Sequence, residues 1–586
     1  MIVSPPHDSA SDNWTLFTRK QLGKAVAEAR AGYDRKNCML ETPFSSPGYH
    51  TTFTGPKVHE TRQSLKFAVA LLDTRDPGDL QIAIEIIHKV ISLQDQDPES
   101  PTYGIWPWFL EESIAEMDPP DWNWADFCGT QLLEARLTHD NRLPQGLLDE
   151  MDSSILHAAF SIKKRDVPLD YTNIVIMGSF VTLMAGELLK NEELINYASD
   201  RLLRFYDFTM AQGTFAEYNS PPYTNVALNE LRRLQRFVRS PQLEERVDAL
   251  YRIAWEEIAE YFHPQTGQWS GPHSRCYETM LTPQIEGSIQ RALGEENENQ
   301  VATLDQHRLD HQCPDDLRCH FDPDAPGAQS PRTIRKVYNK ENPEILGTTY
   351  QHPQFSLGSV SYSNLTNQRR SLLAYWGDRK KTRSLRLRFL HDGYDFTAMQ
   401  FYSAQSEGAI LAGIGFATDG GDRHPHFDRL TNGQFEASDL RLRFEIEGAS
   451  TEKIKANGIH AKDGRANFEL DGLFLYLHTI RAQFGDLQGQ METSVIDNQY
   501  VIDIVFYSGP KRSFTFGEDN HQNPVSIVFT ATLSENYLQE REIPDATYQG
   551  DFGSWATYSW RDMNLAIRQI PGSQDQMQLI PNPNLI

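Results

Sequence analysis

From about residue 14 to about residue 300, apolar side chains recur every three or four positions. LGKAVAEAR, LKFAVALL, LQIAIEIIHKVISL, ILHAAFSI, IVIMGSFVTLMAGELL, LINYASDRLLRFYDF and LEERVDALYRIAWEEIAEYF all show this spacing. It is the spacing of amphipathic helices with one face turned to a core. Polar or Gly/Pro-containing breaks such as DTRDPGD, QDQDPESP and FHPQTGQ end the segments. A run of such helices with no interleaved strands predicts an antiparallel helical assembly and excludes Rossmann and TIM-barrel designs. Beyond about residue 340 the period changes to two. SLLAYWG, SLRLRFL, AILAGIGFA, DLRLRFEIEG, ANFELDGLFLYLHTI, YVIDIVFYSG and VSIVFTATL are separated by turns such as HDGYD, TDGGD, KANG and KDGRA. The expected organisation is multidomain, α then β: a helical catalytic domain over 1–300, a linker rich in Asn, Asp, Pro and His over 301–340, and an antiparallel β-sandwich over 341–586.

Composition narrows the partners. With 55 Lys+Arg against 80 Asp+Glu, the 586 residues carry a formal net charge of −25, which repels phosphate backbones and anionic lipid. Nucleic acid and membrane surfaces are therefore not expected as partners, and an anionic substrate would need arginines concentrated in a cleft. The 5 cysteines are odd in number and widely spread, which fits a reducing compartment better than a disulfide framework. The opening MIVSPPHDSASDNW lacks the basic start and apolar run of a signal peptide, and no uninterrupted apolar run approaches the ~18 residues of a membrane span. The expected location is cytoplasmic.

Four motifs in the helical part carry candidate chemistry. WPWFLEE at 106–112 and DWNWADFCGTQLLEARL at 121–137 bring together Trp106, Trp108, Trp122 and Trp124 with Asn123. Indole faces suit the C–H faces of sugar rings, as they also suit helix packing. DYTNIVIMGSF at 170–180 places Asn173 at the opening turn of an apolar helix, a capping position or a substrate contact. GTFAEYNSPPYTNVALNEL at 213–231 crowds Glu217, Tyr218, Asn219 and Tyr223 into a Pro-interrupted loop, the kind of segment on which rigid scaffolds carry function. In WSGPHSRCYETM at 269–280, His273, Arg275 and Tyr277 alternate, so an extended chain would present them on one face, a basic pair with a phenol suited to an anionic substrate.

In their order these motifs resemble the polysaccharide lyases of the chondroitin AC, hyaluronate and alginate lyase superfamily. The resemblance implies an incomplete (α/α) toroid followed by an antiparallel β-sandwich. The Asn-Trp-Trp segment of that superfamily, with a Gly several residues on, is similar to Asn123-Trp124 through Gly129, and its substrate-binding Asn to Asn173. Its Gly-Ser-Phe-x-x-His segment with a later Tyr is similar to 213–218 with Tyr223, its Ser-Arg segment to Ser274-Arg275, and its entry into the sandwich to TTYQHPQFSLGSVSYS at 348–363. Tyr218 stands where the superfamily has its catalytic His.

Two reactions are open on these residues. In β-elimination from a uronate-containing oligosaccharide or glycoside, a tyrosine takes the C5 proton, with Tyr223 the first choice and Tyr218 the second phenol or leaving-group acid. Asn173, His273 and Arg275 would neutralise the carboxylate. In a glucuronidase-like glycoside hydrolysis, Asp126 and Glu217 would form the carboxylate pair. A non-catalytic carbohydrate-binding protein would need the tryptophans but not the Glu217–Tyr223 cluster. Substrate contacts are expected from Asn123, Asn173, Asn219, Tyr277 and the four tryptophans. HRLDHQCPDDLRCH at 307–320 gathers metal-ligand types, but its Cys spacing is not that of a zinc site and the segment is polar. GIGFATDGG at 413–421 lies between strands rather than between a strand and a helix. No metal and no organic cofactor are expected.

Overall fold

A computed structural model describes residues 14–47, 49–339, 343–420, 430, 433–460, 464–516, 524–539 and 542–582, with the side chains of 458–460 set aside. The opening 1–13 and Gly421 lie outside the described residues. The chain forms two compact units that are not continuous in sequence. The first comprises 1–211, 223–255 and 282–314; the second comprises 212–222, 256–281 and 315–586.

The helical elements are α1 (Leu16–Arg30), α2 (Thr61–Thr74), α3 (Pro77–Ile91), α4 (Trp124–His139), α5 (Gln145–Arg165), α6 (Thr172–Leu189), α7 (Glu192–Gln212), α8 (Pro221–Phe237), α9 (Pro241–Tyr261) and α10 (Pro283–Ala292). Local chemistry sets several of their ends. Asp76 accepts from the backbone N–H groups of Gly78 and Asp79 ahead of Pro77 in the first turn of α3, and Thr282 caps α10 in the same way ahead of Pro283. In the first unit α2 packs on α3 and α4, and α4 packs on α5 and α6. Among the described residues α6 is the one helix long and apolar enough to cross a membrane, and 83% of it is buried inside the structure. Its apolar character is that of a core helix: every residue from Thr172 to Gly186 is buried. Gly178 lets α4 come close, since a Cβ there would stand 2.8 Å from Asp126 Oδ1.

The helical stretch is not free of strands, contrary to the periodicity. Tyr33–Asp34, Met39–Pro43 and Lys57–His59 form a small antiparallel sheet, and Phe262–His263 pairs with Gln268–Trp269. These ladders are two to five residues long, too short to leave a period in the sequence.

In the second unit one sheet runs in the order Gln490–Ile496, Gln499–Thr515, Gln434–Glu447, Lys381–His391, Leu372–Asp378, Phe355–Val360, Ile345–His352, Arg332–Asn339. A second runs Ile454–His460, Arg465–Leu470, Phe474–Phe484, Val525–Ser534, Ala409–Phe416, Met399–Ser406, Tyr362–Asn364. Neighbouring strands are antiparallel throughout both paths. Aromatic pairs tie the sheets face to face: Phe389 meets Phe416 at 5.2 Å and Phe444 meets Phe529 at 5.4 Å between centroids. The architecture is thus helical first and antiparallel β second.

Residues 307–313 are built into the first unit rather than solvated. His307 and Arg308 are buried because they meet Asp73, whose carboxylate accepts from His307 Nε2 at 2.7 Å and Arg308 Nε at 2.7 Å. His311 lies between Tyr251 OH at 3.2 Å and Asn229 Oδ1 at 2.8 Å. Cys319 and His320 belong to the second unit. Among the described residues no group of three or more His, Cys, Asp or Glu side chains is arranged to hold a metal ion.

Candidate active site

The residues of the 213–220 loop, the 269–277 segment and the turn at 367–370 are laced together in the second unit. Gly213 leaves α7 at φ +83°, a conformation that favours glycine. Thr214 Oγ1 then donates to Glu257 Oε2 at 2.7 Å, and Asn219 N donates to Glu257 Oε1 at 3.0 Å. Asn219 holds φ +43° while fully buried. Its Nδ2 donates to Ser270 O at 2.9 Å and Pro272 O at 2.7 Å, and its Oδ1 accepts from Trp269 Nε1 at 2.6 Å. This over-determination sustains the left-handed backbone. It also corrects the expected role of Asn219: its amide is consumed internally and positions the loop instead of meeting a substrate.

His273 and Arg370 exchange backbone hydrogen bonds at 3.1 Å each, and Cys276 N donates to Gln368 O at 2.6 Å, with the backbone bending at 274 and 275 instead of running straight as the alternation assumed. The three alternating side chains do not share one environment, however. His273 is buried, Arg275 half-buried, and Tyr277 exposed. Close approach is possible because of Gly358, where a Cβ would fall 1.9 Å from Gly271 O.

Charge in this cluster is supplied by arginines. Burial lowers the His273 pKa to about 3, so the ring is neutral: Nδ1–H donates to Asn219 O at 2.7 Å, and Nε2 has no hydrogen-bond partner. The expected basic pair of His273 and Arg275 is therefore corrected to Arg275 with Arg369 and Arg370. Arg275 Nη1 donates to Glu217 Oε1 at 3.1 Å, and its Nη2 donates to Gln368 Oε1 at 2.9 Å. Arg369 Nη1 donates to Ser274 O at 2.6 Å, and Arg370 Nη2 donates to Tyr277 O at 3.0 Å. Neither Arg369 nor Arg370 forms an ion pair with a carboxylate among the described residues. Both lie between strands of the β half, in NLTNQRRS, where sequence spacing gives no sign that they return to residue 273.

Tyr218 stacks on Tyr338 with centroids 3.7 Å apart and rings 6° from parallel, and Tyr338 OH donates to Tyr261 OH at 2.7 Å. Burial pushes the Tyr218 phenol up, and the Arg369 charge pulls it back in part. The Tyr218 hydroxyl makes no hydrogen bond to the described residues.

The other candidates belong to the first unit. Trp108 and Trp124 stack at 5.1 Å and 28°, with His50 at 5.4 Å and Tyr49 at 6.1 Å from Trp108. Trp108 Nε1 donates to Asp121 Oδ2 at 3.2 Å and Trp124 Nε1 to Thr61 Oγ1 at 2.9 Å. Beside them Asn123 Nδ2 donates to Tyr171 OH at 3.1 Å, and Asn123 Oδ1 accepts from Arg165 Nη1 at 2.7 Å. Trp122 is half-buried, its Nε1 donating to Pro101 O at 3.3 Å. Trp106 is fully buried with Nε1 on Val90 O at 2.9 Å, which makes it a core residue and corrects its expected substrate role. Asn173 is buried in the first turn of α6, and Tyr223 is half-buried in the first turn of α8. Asp126 is 2% exposed, its Oδ1 has no hydrogen-bond partner, and burial raises its pKa to about 7 against the pull of Arg165 and Arg201. Asp126 and Glu217 fall in different units.

Residues 39–312 match a domain of unknown function (DUF8769). No curated protein matches the sequence. The chain is similar to the chondroitin AC lyase of Streptomyces coelicolor A3 solved with chondroitin sulphate, at 10% identity and TM-score 0.46, over 95% of this chain and 84% of that one. It is similar to a heparan sulfate lyase HepC mutant from Pedobacter heparinus at 10% identity and TM-score 0.33, over 95% and 90% of the two chains. Endoglucanase CelQ from Clostridium thermocellum, solved with cellotetraose, follows at 10% identity and TM-score 0.26, over 90% and 84%. Two of these three solved structures are polysaccharide lyases and the third is an endoglucanase.

Proposed function

We propose that the protein is a carbohydrate-active enzyme that cleaves a uronate-containing oligosaccharide or glycoside by β-elimination. The observation that carries this reading is the Tyr218 cluster: a phenol with no hydrogen bond to the described residues, beside Arg369, with Arg275 and Arg370 laced to the same segment. Glu217 is the carboxylate in ion-pair contact with Arg275, so the cluster is net positive in a chain of net charge −25. A bound uronate carboxylate would replace water around Arg275 and Arg369 and place its developing enolate charge against guanidinium donors. In the step itself the Tyr218 phenolate takes the C5 proton, the C4–O bond breaks as the C4–C5 double bond forms, and the phenol returns the proton to the departing oxygen. Stacking on Tyr338 fixes the ring for both transfers.

The test is incubation with uronate oligosaccharides. New near-ultraviolet absorbance from the conjugated double bond is expected; cleavage with uptake of water and without that absorbance would establish hydrolysis instead. Glu217→Gln separates the readings further. In elimination it removes only the ionic partner of Arg275, and a loss of about tenfold in kcat/KM is expected, whereas a carboxylate of a hydrolytic pair would cost about 100-fold or more.

The stacked Trp108–Trp124 pair supports a carbohydrate partner in the first unit. Trp108→Ala is expected to weaken saccharide binding by about 5- to 30-fold, measured by calorimetry, from lost ring contact of ~1–2 kcal/mol. Unchanged affinity would remove the tryptophan pair from the binding surface.

A further inference from the structure

The first unit contains a cavity of about 1000 Å³ lined by α1, α2, α4, α8, α10 and the 302–312 segment. The buried Glu230 and half-buried Asp305 of its wall, and the buried Glu134 behind the wall, are all matched by cations. Glu134 accepts from Arg233 Nε at 3.1 Å, Arg236 Nη1 at 3.2 Å and Arg308 Nη1; Glu230 accepts from Arg233; Asp305 accepts from Lys66 Nζ at 2.8 Å. Three further guanidiniums on the wall have no carboxylate within ion-pair distance among the described residues. Arg62 lies 3.8 Å over the Phe127 ring, Arg232 donates to Gln235 Oε1 at 3.3 Å, and Arg291 faces the side-chain amide of Gln306. The acids that remain, Glu28, Glu296 and Asp310, are exposed.

Half-buried guanidiniums that have lost water and gained no anion are costly to keep, and their planar forks are shaped for carboxylate and sulfate oxygens. The positive field is also felt by a neighbour. His311 is held to a pKa of about 3, first by burial and then by Arg232, Arg291 and Arg233. The remaining wall offers Asn225, Asn229 and Gln131 as hydrogen-bonding groups and Trp14 and Phe17 as aromatic surface. That mixture suits a hydroxylated ring, and the volume admits a ligand larger than a monosaccharide.

We propose that this cavity is a binding site for an acidic saccharide, with its carboxylate or sulfate groups held by Arg62, Arg232 and Arg291 and its hydroxyls by Asn225 and Asn229. The saccharide body rests on the reading of the protein as an acidic-saccharide enzyme, whereas the anionic character rests on the arginines alone. None of the lining residues belongs to the Tyr218 cluster, so binding here is separable from turnover.

The test is calorimetric titration of the full chain at fixed ionic strength with digalacturonate, cellobiose and inorganic sulfate. Digalacturonate is expected to bind at least tenfold more tightly than either control. Arg62→Gln, Arg232→Gln and Arg291→Gln are each expected to weaken it by tenfold or more, with Arg→Lys at the same positions recovering part of the loss and checking that the fold is intact. Arg275→Gln, which removes a group of the Tyr218 cluster, is expected to remove turnover and that cluster's own share of uronate binding, while the binding that depends on Arg62, Arg232 and Arg291 persists. Equal binding of cellobiose, equal binding of sulfate, or wild-type affinity in the glutamine variants would each overturn the assignment. Absence of elimination activity with digalacturonate binding and its arginine dependence intact would overturn the proposed reaction and leave the cavity site standing.

Discussion

Tyr218→Phe is expected to lower kcat/KM on a uronate oligosaccharide by about 1000-fold, with KM changed little. The substitution removes one oxygen and keeps the ring, so the stack on Tyr338 at 3.7 Å is preserved and the loss reports the phenol rather than the packing. The pH dependence carries an independent signature. Burial raises the Tyr218 pKa above its ordinary value, and Arg369 offsets only part of that rise. A base must be ionised to act, so its active fraction grows as pH rises toward that pKa; activity is expected to climb through neutral pH into the alkaline range without levelling below about pH 10. Arg369→Gln removes the opposing charge and should move this limb further alkaline. An activity that falls above neutral pH would make Tyr218 an acid only. Tyr223→Phe is the parallel variant: a loss as deep as that of Tyr218→Phe, with the alkaline limb abolished, would transfer the base to Tyr223.

The period change near residue 340 was enough to read helices first and antiparallel strands second, because burying one face of a helix or a sheet imposes spacings of 3.6 and 2 on the sequence itself. The 213–220 and 269–277 motifs were legible for the same local reason: each concentrates polar side chains in a Pro- or Gly-broken segment. What the sequence did not disclose is non-local. Arg369 and Arg370 reach residue 273 only through the backbone pairing of His273 with Arg370. Tyr338 meets Tyr218 from a strand more than a hundred residues away in sequence. His273 reads as a cation in isolation and is neutral in the fold because burial, which no dipeptide spacing reveals, removes the water that would stabilise its charge. Trp106 and Trp108 differ by two positions and look alike in sequence, yet one fills the core and the other stacks half-buried on Trp124.

Asp126→Asn is expected to remove a strong pH dependence of stability near neutral pH from the helical unit. The carboxyl of Asp126 is buried on α4 against Gly178, with Oδ1 unbonded and a pKa of about 7. Arg201 and Arg165 oppose that rise but are committed elsewhere, Arg201 to Asp166 and Val167 O and Arg165 to Asn123. Between about pH 4 and pH 7 the unfolded chain has released the Asp126 proton while the native chain retains it. The native state then binds more protons, and stability falls as pH rises through this window and levels off above pH 7. A pKa near 7 against an ordinary value near 4 corresponds to roughly 4 kcal/mol, taken as an upper bound because the native site relaxes. An asparagine side chain keeps the shape and cannot ionise. The difference in unfolding free energy between variant and wild type should therefore be small near pH 4 and grow in favour of the variant by about 2–4 kcal/mol at pH 8, read from urea denaturation. A difference that stays constant with pH would show that Asp126 is ionised in the native state. The same variant bears on the reaction: a carboxyl held near pH 7 has the property required of a hydrolytic acid, so a loss of activity beyond about 100-fold on a correctly folded Asp126→Asn protein would favour hydrolysis, whereas elimination at Tyr218 requires that activity stay within about tenfold.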